Sequence, residues 1–337
     1  MSINDVSIYL TQMQINMTDM KGFDVAVIGE LNIDFILNQI DSFPVIGKEI
    51  LSRQMNVTLG SSSAIFASNL SCLNTKVAFI GKIGKDSFGE LVISTLKSNG
   101  VNTDAIAQKD HLQTGATVVL NYGEDRAMIT HPGAMEDLTF EDIDWQTIAD
   151  SRHLHLSSYF IQKGLRNDIG RVFQRAKALG LTTSLDPQWD PSETWEMDLE
   201  GILPYVDIFM PNKKELLNLT GQTTLLQAIE HLRPFANAIV VKLGNEGSAL
   251  FADGTSVFQP AFLNEEVVDA IGAGDSFNAG FIYKFIGGNP PAECQHFGNM
   301  IGAYSTTAAG GTGAFASREN ILQNVKDRFG HAEKQHD

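Results

Sequence analysis

Two periodicities alternate along the chain. Short, largely apolar runs at residues 23–29, 76–81, 153–157, 181–186, 206–211 and 238–243 are each bounded by glycine, proline or a polar residue. Such runs read as buried strands. Between them apolar residues recur three or four apart, the spacing of one helix face. Ala64, Ala67 and Leu70 mark one helix, and a second runs to about Lys97 before a stop at Gly100. Leu165, Ile169, Val172, Phe173 and Ala176 mark a helix ending at Gly180. Further helices open at Asn212, carry Phe277, Phe281 and Phe285, and cover 292–309 with small residues.

Two segments break the rhythm. Residues 35–37 and 55–59 read as strands with no helix between them, only the breakers Pro44 and Gly47. Residues 114–122 and 126–130 read as a hairpin turned by Gly123, Glu124 and Asp125. A second hairpin joins 238–243 to 249–251. The alternation elsewhere predicts an α/β fold, a mostly parallel central sheet with helices on both faces. The β-rich insertions at about 35–59 and 114–130 predict a small separate sheet projecting from it. One domain is expected over 22–330, after an N-terminal extension at 1–21 and before a tail at 331–337.

Composition narrows the function classes. The chain has 337 residues, 43% hydrophobic and 19% charged, as in an ordinary globular protein. Its formal net charge of −16 argues against a nucleic-acid or anionic-membrane partner, either of which needs a basic surface. Cys72 and Cys294 make no disulfide framework, and no signal peptide or long apolar span is evident, so a cytoplasmic setting is expected.

Several polar groups sit where a strand or turn would present them. Gly272, Ala273 and Gly274 run into the phenylalanine-marked helix, and Asp275 follows. Glycines permit a left-handed turn and a close ligand. The first amides of a helix lack intrahelical partners and bind anions, phosphate above all. A carboxylate beside them can take a proton from an attacking hydroxyl. Asn32 and Asp34, two apart after the first strand, face one way and can fork onto neighbouring hydroxyls. Asn212 and Glu215 share a helix face and equally make a capping box. His153 and His155 share a strand face but have no acidic or Cys partner in register, so no metal site is expected of them. A dinucleotide fingerprint is absent at Gly81–Gly89, because the Gly-x-Gly-x-x-Gly spacing fails.

Taken together, these strings resemble the ribokinase-like (PfkB) family of carbohydrate and nucleoside kinases. Asp269-x-x-Gly272-Ala273-Gly274-Asp275-Ser276-Phe277 resembles its C-terminal signature, and Gly81-x-x-Gly84-x-Asp86-x-x-Gly89 its N-terminal one. The likeness covers about residues 22–325. It implies transfer of the ATP γ-phosphoryl group to a sugar hydroxyl, with Asp275 as general base and the Gly272, Ala273 and Gly274 amides as anion hole. Asn32, Asp34, Gly60 and Ser61 fall where the family binds sugar. The family pattern there is Gly-Gly-x-x-x-Asn, and this chain puts Ser61 at the second Gly and Ile65 at the Asn. Likewise the family's Asp-Pro-Asn-x-Arg is Asp186-Pro187-Gln188-Trp189-Asp190 here. Asn212, Lys242, Gly244, Gly247 and Asn299 fall at nucleotide positions. Glu215 corresponds to the residue that organises Mg²⁺ through water. Asp269, Ile271, Thr306, Ala309 and Gly311 correspond to the surround of K⁺ in some members. The small sheet becomes a lid over the sugar; separately, its unpaired edge is expected to be covered by a second chain in a homodimer. The substrate is expected to be a free sugar, since residues 32–65 offer only Lys48 and Arg53 for a phosphosugar. A nucleoside kinase is the alternative, and a non-catalytic sugar sensor on the same fold a further one.

Overall fold

A computed structural model describes residues 21–122, 125–264 and 267–330. The N-terminal extension up to residue 20, Gly123 and Glu124 of the hairpin turn, and the tail lie outside the described residues. Among the described residues thirteen strands form two sheets. The larger is built of β1 (Phe23–Ile28), β4 (Val77–Gly84), β5 (Ile106–Lys109), β8 (Ser151–Ser157), β9 (Thr182–Asp186), β10 (Ile208–Phe209), β11 (Ala238–Lys242), β12 (Ser248–Ala252) and β13 (Thr255–Gln259). Its order is β13-β12-β11-β10-β9-β8-β1-β4-β5. All neighbours from β5 to β11 are parallel, and the β11–β12–β13 edge is antiparallel. From β1 the chain moves out to β4 and β5, then returns to β8 on the other side. That reversal leaves a crevice at the carboxyl ends of β1 and β8, where open α/β sheets bind ligands.

The smaller sheet has the order β3-β2-β6-β7, from β2 (Asn32–Ile40), β3 (Ser52–Leu59), β6 (Gly115–Tyr122) and β7 (Asp125–His131). Its two-residue period, together with the register, puts Thr58, Asp34, Thr117 and Thr130 in one row across all four strands.

Helices cover both faces of the large sheet. On one lie α1 (Ser62–Cys72), α2 (Ser87–Ser98) and α6 (Ala273–Ile286), packed on Val25, Val27, Phe79 and Val240. On the other lie α3 (Ile169–Ala178), α4 (Lys213–Thr220) and α5 (Leu225–Leu232), packed on Ile28, Leu154, Leu156 and Phe209. A third cluster joins α7 (Pro291–Ser305) to α8 (Arg318–Phe329) through Phe297, Tyr304 and Ile321. The phenylalanines of α6 stack in sequence, Phe277 on Phe281 at 6.2 Å and Phe281 on Phe285 at 6.5 Å. No described helix is long and apolar enough to cross a membrane.

Three expected elements differ. The helix marked by Leu165 to Ala176 is two pieces, Lys163–Arg166 and α3, because the chain turns at Asn167 and Asp168 between them. The strand over 206–211 is regular only at Ile208 and Phe209, although Asp207 N and Met210 N still donate to Thr183 O and Leu185 O, and Pro211 O accepts from Lys242 N. The 292–309 helix stops at Ser305, where the chain turns back to meet residues 268–269.

Candidate active site

Helix α6 begins where Gly272 adopts φ 73° in the left-handed region. A Cβ there would lie 2.7 Å from Gly311 Cα, so only glycine lets the two turns touch. Gly272, Ala273 and Gly274 thus form the positive end of a long buried helix. Ala273 N–H makes a long bond of 3.3 Å to Ala270 O, a turn contact rather than a free amide. The ammonium of Lys242 lies over the turn, 3.7 Å from where a Cβ on Gly274 would stand.

Asp275 stands in the first turn of α6, 7% exposed. Burial pushes its carboxyl up to about 8; Asp186 and Glu30 add to this, while Lys242 and Ser62 oppose it. Gln188 Nε2 donates to its Oδ1 at 3.0 Å. Behind it Asp186 ends β9 fully buried, its Oδ2 accepting from Lys242 Nζ at 2.6 Å, Asn278 Nδ2 at 2.5 Å and Gln188 Nε2 at 2.9 Å. Burial works against the charge on Lys242, but Asp186, Glu215 and Asp275 together hold its ammonium above the ordinary lysine value.

Asn32 and Asp34 open β2 on one face, as their spacing requires. Asn32 Nδ2 donates to Asp34 Oδ1 and to Thr117 Oγ1, both at 2.9 Å. Burial lifts Asp34 to about 6, opposed by Asn32 and Thr117. Gly60 closes over the pair, and any Cβ on it would overlap the Asp34 carboxylate and lie 2.8 Å from Asn32 Nδ2. Ser61 caps α1, accepting from Ala64 N at 3.1 Å and donating to Glu30 O at 2.5 Å. Its hydroxyl is therefore committed to the cap. Ile65 fills the gap toward Gly272 and Gly311, its Cγ2 3.0 Å from a Cβ built on either.

On the opposite side of the turn a cleft of about 320 Å³ is lined by Lys242, Gly244, Gly247, Phe277, Asn299 and Thr306 among others. Asn212 and Glu215 make the full capping box: Glu215 N to Asn212 Oδ1 at 2.9 Å, Asn212 N to Glu215 Oε2 at 2.8 Å. Asn212 Nδ2 also reaches Glu215 Oε1 at 2.6 Å. Burial, then Asp186, pushes Glu215 up to about 7, with Lys242 and the Asn212 N–H opposing. Both Glu215 oxygens accept from Asn212 and the Lys242 ammonium is near, so the carboxylate fits a hard cation such as Mg²⁺ through water rather than by direct ligation.

Asp269, Ile271, Thr306, Ala309 and Gly311 lie together behind the turn. Asp269 Oδ1 accepts from Ile271 N and Oδ2 from Gly310 N, each at 2.9 Å. Thr306 O accepts from Val268 N at 2.9 Å, and Gly311 O accepts from Asn69 Nδ2 at 2.9 Å. These bonds brace the loop before α6 against the loop after α7.

Sequence reasoning gave no role to Gln188, Asn278 or Glu30. Gln188 and Asn278 converge on Asp186 from distant positions, and no local pattern reveals that. Glu30 is buried at the end of β1, its Oε2 accepting from Ser63 Oγ at 2.5 Å, and Ser63 Oγ in turn meets Ser157 Oγ at 2.6 Å. A glutamate between Gly29 and Leu31 in an apolar run was the available signal. His153 and His155 are buried and held neutral by burial, both bonded to Ser184 Oγ at 2.7 Å.

A family model described as pfkB family carbohydrate kinase matches residues 23–317. An uncharacterized sugar kinase of Archaeoglobus fulgidus is 30% identical over 237 residues, covering 69% of this chain and 92% of its own. The ribokinase of Arabidopsis thaliana is 25% identical, covering 90% of this chain and 81% of its own. The structure of Arabidopsis thaliana ribokinase complexed with ribose and ATP superposes with a TM-score of 0.78 at 25% identity, over 90% of this chain and 99% of the other.

Proposed function

The chain belongs to the PfkB family of carbohydrate kinases, and on that premise we propose that it transfers the ATP γ-phosphoryl group to a hydroxyl of a free sugar. One observation carries this reading. The buried Asp275 stands at the Gly-Ala-Gly helix start, beside a cleft of about 320 Å³ that Lys242, Ala273 and Gly274 help to line. The relative solved with ribose and ATP supports the same pair of ligands.

The sugar lies against the row Thr58, Asp34, Thr117 and Thr130, with Asn32 fixing the Asp34 carboxylate. Three hydroxyls and a carboxylate in one row suit a polyol, whose own hydroxyls both donate and accept. The smaller sheet is then the lid that excludes water. Asp275 accepts the acceptor's proton as the new P–O bond forms. The Gly272 and Gly274 amides and Lys242 balance charge on the phosphoryl oxygens while ADP departs. Mg²⁺, held near Asn212 and Glu215, would neutralise the β- and γ-phosphates. A nucleoside offers its ribose to the same row, so the acceptor panel must include nucleosides beside free sugars.

The test is Asp275→Asn. Asparagine keeps the shape but cannot take a proton, so kcat should fall by ~10²–10⁴, roughly 3–5 kcal/mol of transition-state stabilisation. Sugar and MgATP binding should stay within about tenfold, because the other binding groups remain. A variant with near wild-type kcat, where chemistry limits the rate, assigns the base elsewhere. A wild type that binds a sugar yet never turns over ATP makes the protein a sensor.

A further inference from the structure

We propose that Gln188 is a positioning residue for Asp275: its amide, strung between two carboxylates, favours the ionised form of the reacting carboxylate and holds it turned toward the acceptor. This rests on reading Asp275 as the proton acceptor. Gln188 Nε2 donates to Asp275 Oδ1 at 3.0 Å and to Asp186 Oδ2 at 2.9 Å, one amide hydrogen for each. With Oδ1 held in this way, Oδ2 is the oxygen presented to the sugar.

The backbone beneath this amide is strained. Gln188 adopts φ 59°, a left-handed conformation that is unfavourable for a non-glycine residue. The surrounding loop enforces it. Asp190 is buried and binds its own loop, Oδ1 to Ser192 N at 2.9 Å and Oδ2 to Trp195 N at 2.7 Å. The Lys214 ammonium sits 4.4 Å over the Trp189 ring and ties the loop to α4. Strain that the neighbours over-determine, at a residue touching a site carboxylate, is the form in which strain persists at functional positions.

The electrostatic setting gives the amide its task. Asp275 faces Asp186 at the end of β9, Glu30 beyond β1, Lys242 at the end of β11 and the Ser62 hydroxyl at the start of α1. Burial and two carboxylates oppose its ionisation, while Lys242 and Ser62 favour it. A hydrogen bond to the charged form favours that form, so the Gln188 amide adds to the weaker side. Without it Asp275 ionises only at higher pH, and the acid limb of activity moves up.

Two variants separate the amide from the strain. Gln188→Leu loses the amide and keeps the strained backbone; Gln188→Gly loses the amide and relieves the strain. In both, the acid limb of kcat/KM for the sugar should rise by about one pH unit. The carboxyl ¹³C titration of Asp275 in the ligand-free protein should move the same way, whether or not a substrate is known. A limb and titration unmoved in both variants, or moved in only one, overturn the proposal. If the titration moves in both but the wild type phosphorylates no acceptor, Gln188 still controls Asp275 and the kinase reading is what fails.

Discussion

At the residue scale the site is a set of carboxyl groups held in a place hostile to charge. Asp34 is lifted to about 6, Glu215 to about 7 and Asp275 to about 8, burial being the first cause in each. A native carboxyl with a raised pKa binds protons that the unfolded chain has already released. The ligand-free fold is therefore favoured below the ordinary carboxylate range, and that advantage is lost as pH rises through about 6 for Asp34, about 7 for Glu215 and about 8 for Asp275. Asp275→Asn removes the last of these costs. Its Tm should exceed the wild type by about 3–6 °C at pH 8, with little difference at pH 5, in a ligand-free thermal scan. An equal gain at both pH values would mean that packing, not charge, is responsible. The same substitution that removes turnover should thus strengthen the fold, the usual sign of a group retained for chemistry.

At the element scale α1 is the piece that joins the Gly60 turn beside Asn32 and Asp34 to the Gly272–Gly274 turn. It starts at Gly60 and Ser61, passes Ile65 between Gly272 and Gly311, and ends its buried stretch with Asn69 bonded to Ser276 Oγ and Gly311 O, both at 2.9 Å. A polar side chain at position 65 has no role in this packing. A Cβ on Gly311 would overlap Ile65 Cδ1 and lie 2.7 Å from its Cγ1. Gly311→Ala should therefore cost about 1–3 kcal/mol in the wild type and clearly less in an Ile65→Ala background. Strict additivity in that cycle, read by denaturant melts, would show that the two residues do not press on each other. Much at this scale was legible in the sequence. Apolar runs marked the strands, and Asn212 with Glu215 announced the capping box that forms. What stayed hidden was non-local. Gln188 reaches Asp275 across 87 positions, and Ser63 reaches Ser157 across 94. Nothing in a local pattern encodes a contact that exists only once β1, β8 and β9 lie side by side. The break between Lys163–Arg166 and α3 was hidden for the opposite reason, because the apolar spacing continues in register through a turn.

At the scale of the whole molecule charge acts against the nucleotide. The chain carries a formal −16, and MgATP is itself an anion. Around the turn, Glu30, Asp34, Asp186, Glu215 and Asp275 are acidic; Lys242 is set against them but already paired with Asp186 at 2.6 Å, and Arg126 acts on Asp34. On the proposed reading, affinity for phosphate comes from short-range contacts, the helix-start amides, Lys242 and Mg²⁺, while the long-range field repels. Those two parts respond differently to salt. Screening reaches about 10 Å at 0.1 M, so added salt removes the distant repulsion and leaves the close, buried contacts nearly intact. Raising ionic strength from about 20 to about 200 mM, with K⁺ and free Mg²⁺ fixed, should lower the KM for MgATP by about two- to fivefold. The change should appear in the association rate measured by stopped flow, with dissociation nearly constant, because repulsion acts on approach. A protein that drew its nucleotide with a basic surface would show the opposite sign, with KM climbing as salt rises. That result here would mean that a cationic patch near the cleft outweighs the net charge, and that local amides and one paired lysine are not the main source of phosphate affinity.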